Sequence, residues 1–280
     1  MNSLPSPIVA LTFLLLLPST LASADVIYTN SFEEMEIGPA NRNQVKEAWD
    51  TRYAKGPDEG RISISTDGYI GNGGRVLNPA FAHSTNYSGV HWETDIKAEE
   101  DDLYMSYWIR LDQDFQCVKG GKLPGLAGSE SFPRGTKSWS ARLMWREDCK
   151  LEWYLHGFAV DNPQGSEPYR VLWDDFGAHA TLNPGDWHHI ELRVKLNTPG
   201  KLDGRLQGWL DGIVVSDDWE NSGIRATGDS DVKINHLFFS TFFGGSSAPV
   251  SQWQPKNDVY STFDEFIIST KPIGLSTTAQ

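Results

Sequence analysis

Apolar and polar residues alternate along many short segments of the chain, which is typical of β-strands with one buried face. Turns rich in Gly, Pro, Asn and Asp separate these segments, and helical periodicity is scarce, with space for a turn or two of helix within 33–47. The alternation predicts strands over residues 26–32, 62–66, 90–96, 103–111, 139–146, 151–156, 187–196, 205–210, 213–216, 237–243 and 260–269.

This series of short strands predicts an all-β fold, a sandwich of two antiparallel sheets in which one face curves to hold a ligand. With 280 residues, of which 39% are hydrophobic, the chain is large enough for one extensive core. No internal repeat, linker or low-complexity block interrupts the pattern. We therefore expect a single domain over residues 25–280.

Residues 1–24 are typical of a secretory signal peptide. The apolar run over 8–17 is too short to span a bilayer, and Ala22-Ser23-Ala24 is a small-residue cleavage site. No later run is apolar enough to cross a membrane. We expect a secreted, extracellular and soluble protein whose mature chain starts near Asp25, and we expect it to be a monomer.

The strands predicted over 139–146 and 151–156 are joined by a short turn, so we expect a hairpin. Because side chains in a strand point to opposite faces in turn, one face of the hairpin is apolar and the other carries polar groups. Ala141, Leu143, Trp145, Leu151, Trp153 and Leu155 belong to the apolar face. Ser140, Arg142, Met144, Arg146, Glu152, Tyr154 and His156 belong to the polar face, where we expect the chemistry.

A net charge of −13 argues against nucleic acid as a partner, because phosphate binding normally needs a basic surface. It also opposes a polyanionic sugar at long range, unless the basic residues gather in one cleft. Six of them fall within a short span around the hairpin: Lys119, Lys122, Arg134, Lys137, Arg142 and Arg146.

Cys117 and Cys149 flank the same span, and two cysteines brought close in an oxidising compartment usually pair. A disulfide between them would tie the segment that contains Lys122, read as a Gly-Pro loop, to the hairpin turn. The alternative is two buried free thiols. Asn86-Tyr87-Ser88 is a sequon for N-glycosylation, which matters only in a host that glycosylates.

Three separated motifs, in this order along the chain, resemble polysaccharide lyase family 14. They are KGGKLPGL at 119–126, Ser140-x-Arg142 with a tyrosine on the next strand, and FSTFFGGSS at 239–247 followed by FDEF at 263–266. The resemblance covers roughly 104–268 and implies a β-jelly-roll fold and alginate or glucuronan lyase activity. It also implies functional roles for Lys122, Ser140, Arg142 and Tyr154, with His156 where the family has a second tyrosine.

These residues suit β-elimination on a 1,4-linked uronic acid polymer. Arg142 or Lys122 can neutralise the C6 carboxylate and the enediolate that develops, which makes the C5 proton acidic. Tyr154 is a candidate base, acid or both, because a neighbouring cation lowers the pKa of a phenol. His156 is the alternative base, with Tyr154 then acting as the acid. No cofactor is required by this chemistry.

Further substrate-binding candidates are His91, Tyr104, Trp108, Arg110 and Arg146; the alternative for the first four is an ordinary mixed sheet surface. Glu33 and Asp264 lie near the two ends of the mature chain, where jelly rolls often bring terminal strands together. Their hard carboxylate oxygens could share a structural Ca²⁺.

Two rival functions stay open at this point. The first is a glycoside hydrolase on a similar sandwich, which needs a pair of carboxylates. Glu93-Thr-Asp95 begins the Glu-x-Asp-x-x-Glu pattern of some of these enzymes, but the last acid of the pattern is missing. A non-catalytic carbohydrate-binding module is the other rival, because the 11 tryptophans could form stacking platforms for sugar rings. Trp145 and Trp153 fall on predicted core faces.

Overall fold

Two antiparallel β-sheets pack face to face and enclose one hydrophobic core. The computed structural model describes residues 25–69, 74–83, 88–129, 138–156, 169–173, 180–218, 223–225, 232–244 and 250–275. The all-β fold predicted from the alternation is confirmed. Among these residues, no helix is long and apolar enough to cross a membrane.

Nine strands form the first sheet in the described part of the chain, in the order β14-β13-β12-β7-β16-β5-β4-β2, with β1 also paired to β16. Their bounds are β1 (Val26–Asn30), β2 (Gly38–Pro39), β4 (Ile62–Ser65), β5 (Val76–Phe81), β7 (Asp102–Leu111), β12 (Trp187–Lys195), β13 (Arg205–Leu210), β14 (Ile213–Asp218) and β16 (Val259–Ser269).

Seven strands form the second sheet in the same ranges, in the order β11-β10-β9-β8-β15-β6-β3. Their bounds are β3 (Ala54–Lys55), β6 (Gly89–Glu100), β8 (Gly121–Ser129), β9 (Ser138–Trp145), β10 (Leu151–His156), β11 (Tyr169–Leu172) and β15 (Ile234–Phe243). A helix, α1 (Arg42–Ala48), and single turns of 3₁₀ helix at Pro57–Glu59, Glu147–Cys149 and Val250–Trp253 lie between strands. Helix α1 falls partly within the range that the sequence left for a helical turn.

The apolar face of the predicted hairpin lies in the core. β9 and β10 pair antiparallel, as predicted, and Trp145 and Trp153 are fully buried. Their polar neighbours therefore point to the opposite, outward face of the second sheet, because successive side chains alternate.

The segment read as a Gly-Pro loop is a strand, so that prediction is wrong. Lys122 lies on β8, which is hydrogen-bonded between β9 and β15. The register shifts between Leu123 and Gly125, which places Pro124 at an irregularity where its missing N–H is tolerated. A Cβ on Gly125 would lie 2.1 Å from the carbonyl oxygen of Ala141, so only glycine lets the strands approach this closely.

Cys117 and Cys149 form a disulfide, which confirms the predicted pairing. It joins the segment before β8 to the turn between β9 and β10.

We expect that replacing both cysteines by alanine lowers the free energy of unfolding by about 3–4 kcal/mol, because the bond closes a loop of 32 residues in the unfolded chain. Urea denaturation of the oxidised wild type and of the double variant measures the loss, and reduced wild-type protein should match the double variant. An unchanged midpoint would show that the bond does not limit stability.

Candidate active site

The outward face of the second sheet brings together the four residues predicted to carry the chemistry. Tyr154 on β10 pairs with Arg142 on β9, and Lys122 on β8 pairs with Met144 of the same β9 strand. His156 lies two residues beyond Tyr154 on the same face. We call Lys122, Arg142, Tyr154 and His156 the cationic cluster.

Lys122 approaches the face of the Tyr154 ring. Its Nζ lies 3.3 Å from the ring centroid and 3.0 Å from the sulfur of Met144, and the side chain is buried. An ammonium over an aromatic face is attracted to the ring quadrupole, and this attraction strengthens when water is excluded. The contact therefore holds a positive charge against the phenol.

Arg142 reaches across β8 towards β15. Its Nη1 donates a hydrogen bond to Ser240 Oγ at 3.0 Å, and its guanidinium carbon lies 4.2 Å from the centroid of the Phe238 ring. The same carbon lies 5.1 Å from the centroid of Tyr154. Gly125, which is opposite Arg142 on β8, has no side chain to obstruct this path.

Ser140 and His156 face each other across β9 and β10. Ser140 is fully buried, and its hydroxyl has no hydrogen-bond partner in the described part of the chain. Most buried hydroxyls have a hydrogen-bond partner, so Ser140 has capacity for one beside His156. Tyr154 and His156 are half-buried, which leaves them accessible beside the buried cations.

His91 and Arg146 lie on the same sheet as the cationic cluster but differ in their surroundings. His91, on β6 opposite Ser240, contacts the rings of Phe238 and Phe242 at centroid distances of 6.4 and 6.3 Å. Arg146 directly follows β9 and forms an ion pair with Glu152 at 2.9 Å. Its charge is thus partly neutralised by the protein itself.

The prediction that Tyr104, Trp108 and Arg110 line the same cleft is wrong. All three lie on β7, which belongs to the first sheet, and they point away from the core that separates the sheets. Tyr104 contacts Trp209, Trp108 stacks on Tyr69, and Arg110 is paired with Asp67. Alternation placed them correctly on one face of one strand, but it carries no information about which sheet the strand joins.

Three neighbours of the cluster were not predicted as site residues: Met144 beside Lys122, and Ser240 and Phe238 around Arg142. Met144 was already assigned to the polar face of the hairpin, and this position could have identified it as a site residue. Ser240 and Phe238 lie within or beside the FSTFFGGSS motif, but their contact with Arg142 depends on a pairing of distant strands.

The basic residues predicted to gather in one cleft do so in part. Lys122 and Arg142 lie together, whereas Lys119 donates a hydrogen bond to Gln252 and lies over the ring of Trp253. Arg134, Lys137 and Asn86 of the sequon lie outside the described residues.

Glu33 and Asp264, predicted to share a Ca²⁺, are electrostatically coupled. Burial and the neighbouring charge of Glu265 raise the pKa of Asp264 to about 7, and Glu33 adds to the shift. Ca²⁺ takes six to eight oxygen ligands. Within the described ranges, no three His, Cys, Asp or Glu residues are grouped so that they could hold a metal ion. The calcium site stays a prediction.

The raised pKa of Asp264 predicts a pH dependence of stability. Between its ordinary value of 3.8 and about 7, the folded protein holds a proton on Asp264 that the unfolded chain has lost. Stability from this group is therefore present at low pH and declines as pH rises through this window. We expect Asp264→Asn to flatten the decline in melting temperature between about pH 4 and 7. Parallel slopes for variant and wild type would contradict the assignment.

Several solved structures that share this fold are polysaccharide lyases. The marine PL-14 alginate lyase from Aplysia kurodai superposes with a TM-score of 0.69 at 24% identity, over 88% of this chain and 99% of that chain. Alginate lyase Aly36B superposes with a TM-score of 0.65 at 21% identity, over 89% and 97%, and a mutant of it has been solved with an alginate tetrasaccharide. The endo-β-1,4-glucuronan lyase from the fungus Trichoderma reesei gives a TM-score of 0.57 at 14% identity, over 87% and 95%.

The two-sheet sandwich is thus a β-jelly roll of the kind found in alginate lyases. The family model described as Polysaccharide lyase 14 matches residues 78–266, and the chain belongs to this family of polysaccharide lyases. The resemblance found in the sequence motifs is confirmed. No curated protein matches the chain significantly.

Proposed function

We propose that this enzyme cleaves a 1,4-linked uronic acid polymer, alginate or glucuronan, by β-elimination. The observation that carries the proposal is the position of Tyr154, whose ring lies 3.3 Å from the Lys122 ammonium and 5.1 Å from the Arg142 guanidinium. A phenol close to two cations can exchange a proton beside a bound carboxylate. Family membership supports the reaction class, and the fold neighbours include lyases of both uronans.

The reaction divides among the residues of the cationic cluster. Arg142 and Lys122 neutralise the C6 carboxylate, so that charge developing on it after loss of the C5 proton is stabilised in a buried site. Tyr154 or His156 takes the C5 proton, the C4=C5 double bond forms, and the C4–O4 bond breaks. Tyr154 gives a proton to O4 of the departing chain. We assign Ser140 to orienting a neighbouring group of the cluster, since it lies opposite His156.

A substrate panel tests this proposal. Mannuronate-rich alginate, guluronate-rich alginate, glucuronan and a neutral glucan are incubated with the enzyme, and ultraviolet absorbance reports the unsaturated product. We expect absorbance to rise on at least one uronan and not on the neutral glucan. New reducing ends without absorbance would indicate hydrolysis, and binding without any turnover would indicate a carbohydrate-binding protein; both would overturn the proposal.

We further propose that residues 1–24 are removed and the enzyme is secreted. The disulfide supports this, because such bonds persist mainly in oxidising compartments. Amino-terminal sequencing of protein recovered from the medium of an expressing host should begin near Asp25. Protein retained in the cell with residues 1–24 intact would contradict secretion.

A further inference from the structure

The outward face of the first sheet contains a concave region, on the opposite side of the sandwich from the cationic cluster. It is a cavity of about 610 Å³ among β4, β5, β7 and β16 and the segment that follows β7. A volume in this range is typical of ligand sites. The proposed uronan reaction assigns no role to it. We call it the outer cavity.

A row of hydrogen-bonding side chains crosses the floor of the outer cavity. Arg110 on β7 pairs with Thr262 on β16, and Asn78 on β5 pairs with Ser63 on β4. The four strands are neighbours in the sheet, so the row extends over about 14 Å at the usual strand spacing. This length suits an extended chain better than a compact molecule.

The polar groups in the row are held in fixed positions. Thr262 Oγ1 donates a hydrogen bond to Asn78 Oδ1 at 3.0 Å, and Asn78 Nδ2 donates to Ser65 Oγ at 2.9 Å. Because these bonds are already made, little side-chain entropy is lost when a ligand binds. Such preorganised amide and hydroxyl groups are suited to binding sugar hydroxyls, which both donate and accept.

An aromatic ring is exposed at the same cavity. Tyr260 lines it and is 50% exposed, which is unusual for a large aromatic side chain among the described residues. Beside it, the Arg110 guanidinium lies 4.9 Å from the centroid of the Trp187 ring. Tyrosine offers an apolar face together with a hydroxyl, the combination that a pyranose ring with its apolar and polar sides requires.

Charge separates the outer cavity from the cationic cluster. Arg110 is already paired with Asp67, and Asp112 also lines the cavity, so the charge of these lining residues is net negative. A polyuronate would be repelled there, whereas the buried Lys122 and Arg142 attract it on the other sheet.

We propose that the outer cavity is a non-catalytic binding site for a neutral polysaccharide. Its occupant is a chain of uncharged hexopyranosyl units, which lies across the four strands with one ring against Tyr260. The site would hold the enzyme on a neutral matrix while the opposite sheet cleaves its uronan. This inference does not depend on uronan activity, because binding is measured without turnover.

Affinity gel electrophoresis tests the proposal on the full mature chain. Native gels contain hydroxyethyl cellulose, a soluble β-1,3-glucan, a soluble uronan, or no polysaccharide. We expect at least one neutral polysaccharide to retard the wild type, and Tyr260→Ala to weaken that affinity by about tenfold. Ile213→Ala is the matched control, because Ile213 is also exposed on the first sheet, away from the cavity. It should be retarded like the wild type.

Activity on soluble uronan gives an independent readout, and Tyr260→Ala should leave it unchanged. Absence of retardation by both neutral polysaccharides would overturn the proposal, as would equal retardation of Tyr260→Ala and wild type. If Tyr260→Ala instead loses retardation only in a uronan gel, the assignment to a neutral ligand is wrong. Melting temperatures of both variants confirm that they are folded.

Discussion

Tyr154→Phe should lower kcat on the preferred uronan by about 10²–10⁴-fold, the usual contribution of a general acid or base. The substitution removes only the phenolic hydroxyl and keeps the ring against which Lys122 packs at 3.3 Å. We therefore expect KM and the melting temperature to stay near their wild-type values. Initial rates from ultraviolet absorbance across substrate concentrations separate the two kinetic parameters.

Tyr260→Phe is the matched control for this loss, because it removes a hydroxyl from an exposed tyrosine on the other sheet. Its kcat should equal that of the wild type. An unchanged kcat in Tyr154→Phe would eliminate the phenol as acid or base.

The pH–rate profile of His156→Ala assigns the remaining role. If the change of rate with pH near neutrality is lost in this variant, His156 is the base. Unaltered profiles in both variants would end the proposed division of roles.

Arg142→Ala should lower kcat/KM by about 10²–10³-fold, the size of effect seen when one group that stabilises a developing anion is removed. Arg142 is buried and fixed by its 3.0 Å hydrogen bond to Ser240, so its charge is in place before the substrate arrives. Arg142→Lys keeps the charge without the planar fork and should recover only part of the loss. The assay is again the rate of formation of unsaturated product.

Arg193→Ala provides the matched control for Arg142. Arg193 is also a strand arginine with hydrogen-bonded partners, Asp102 and Gln207, but it lies on the first sheet. We expect its melting temperature to fall while activity per folded molecule stays unchanged. Equal activity in Arg142→Ala and the wild type would refute the role of Arg142 in charge stabilisation.

The sequence was sufficient for elements that show a clear period. The strand predicted over 187–196 is observed as Trp187–Lys195, because its inner side chains are apolar and its outer ones polar. β8 was missed because all nine of its residues are buried, so polarity does not alternate along it, and its Gly and Pro residues resemble those of a loop. β5 was missed for a related reason, since it contains Pro79.

The candidate site was predictable where its contacts are local. Arg142 and Tyr154 belong to consecutive strands, so alternation and a short turn sufficed to place them together. Ser240 was missed because it lies 98 residues from Arg142 in the chain, and only the position of β15 beside β8 brings them together. The same lack of long-range information led to the error for Trp108, which is on the wrong sheet for the cleft.

Lys122 and Arg142 lie on β8 and β9, which are interior strands of the second sheet with neighbours on both sides. Interior strands open only when most of a domain unfolds, whereas edges and loops open at much lower free energy. Heat should therefore inactivate the enzyme at the same temperature at which its global structure is lost. A change that stabilises any part of the sandwich against global unfolding should therefore raise the inactivation temperature as well.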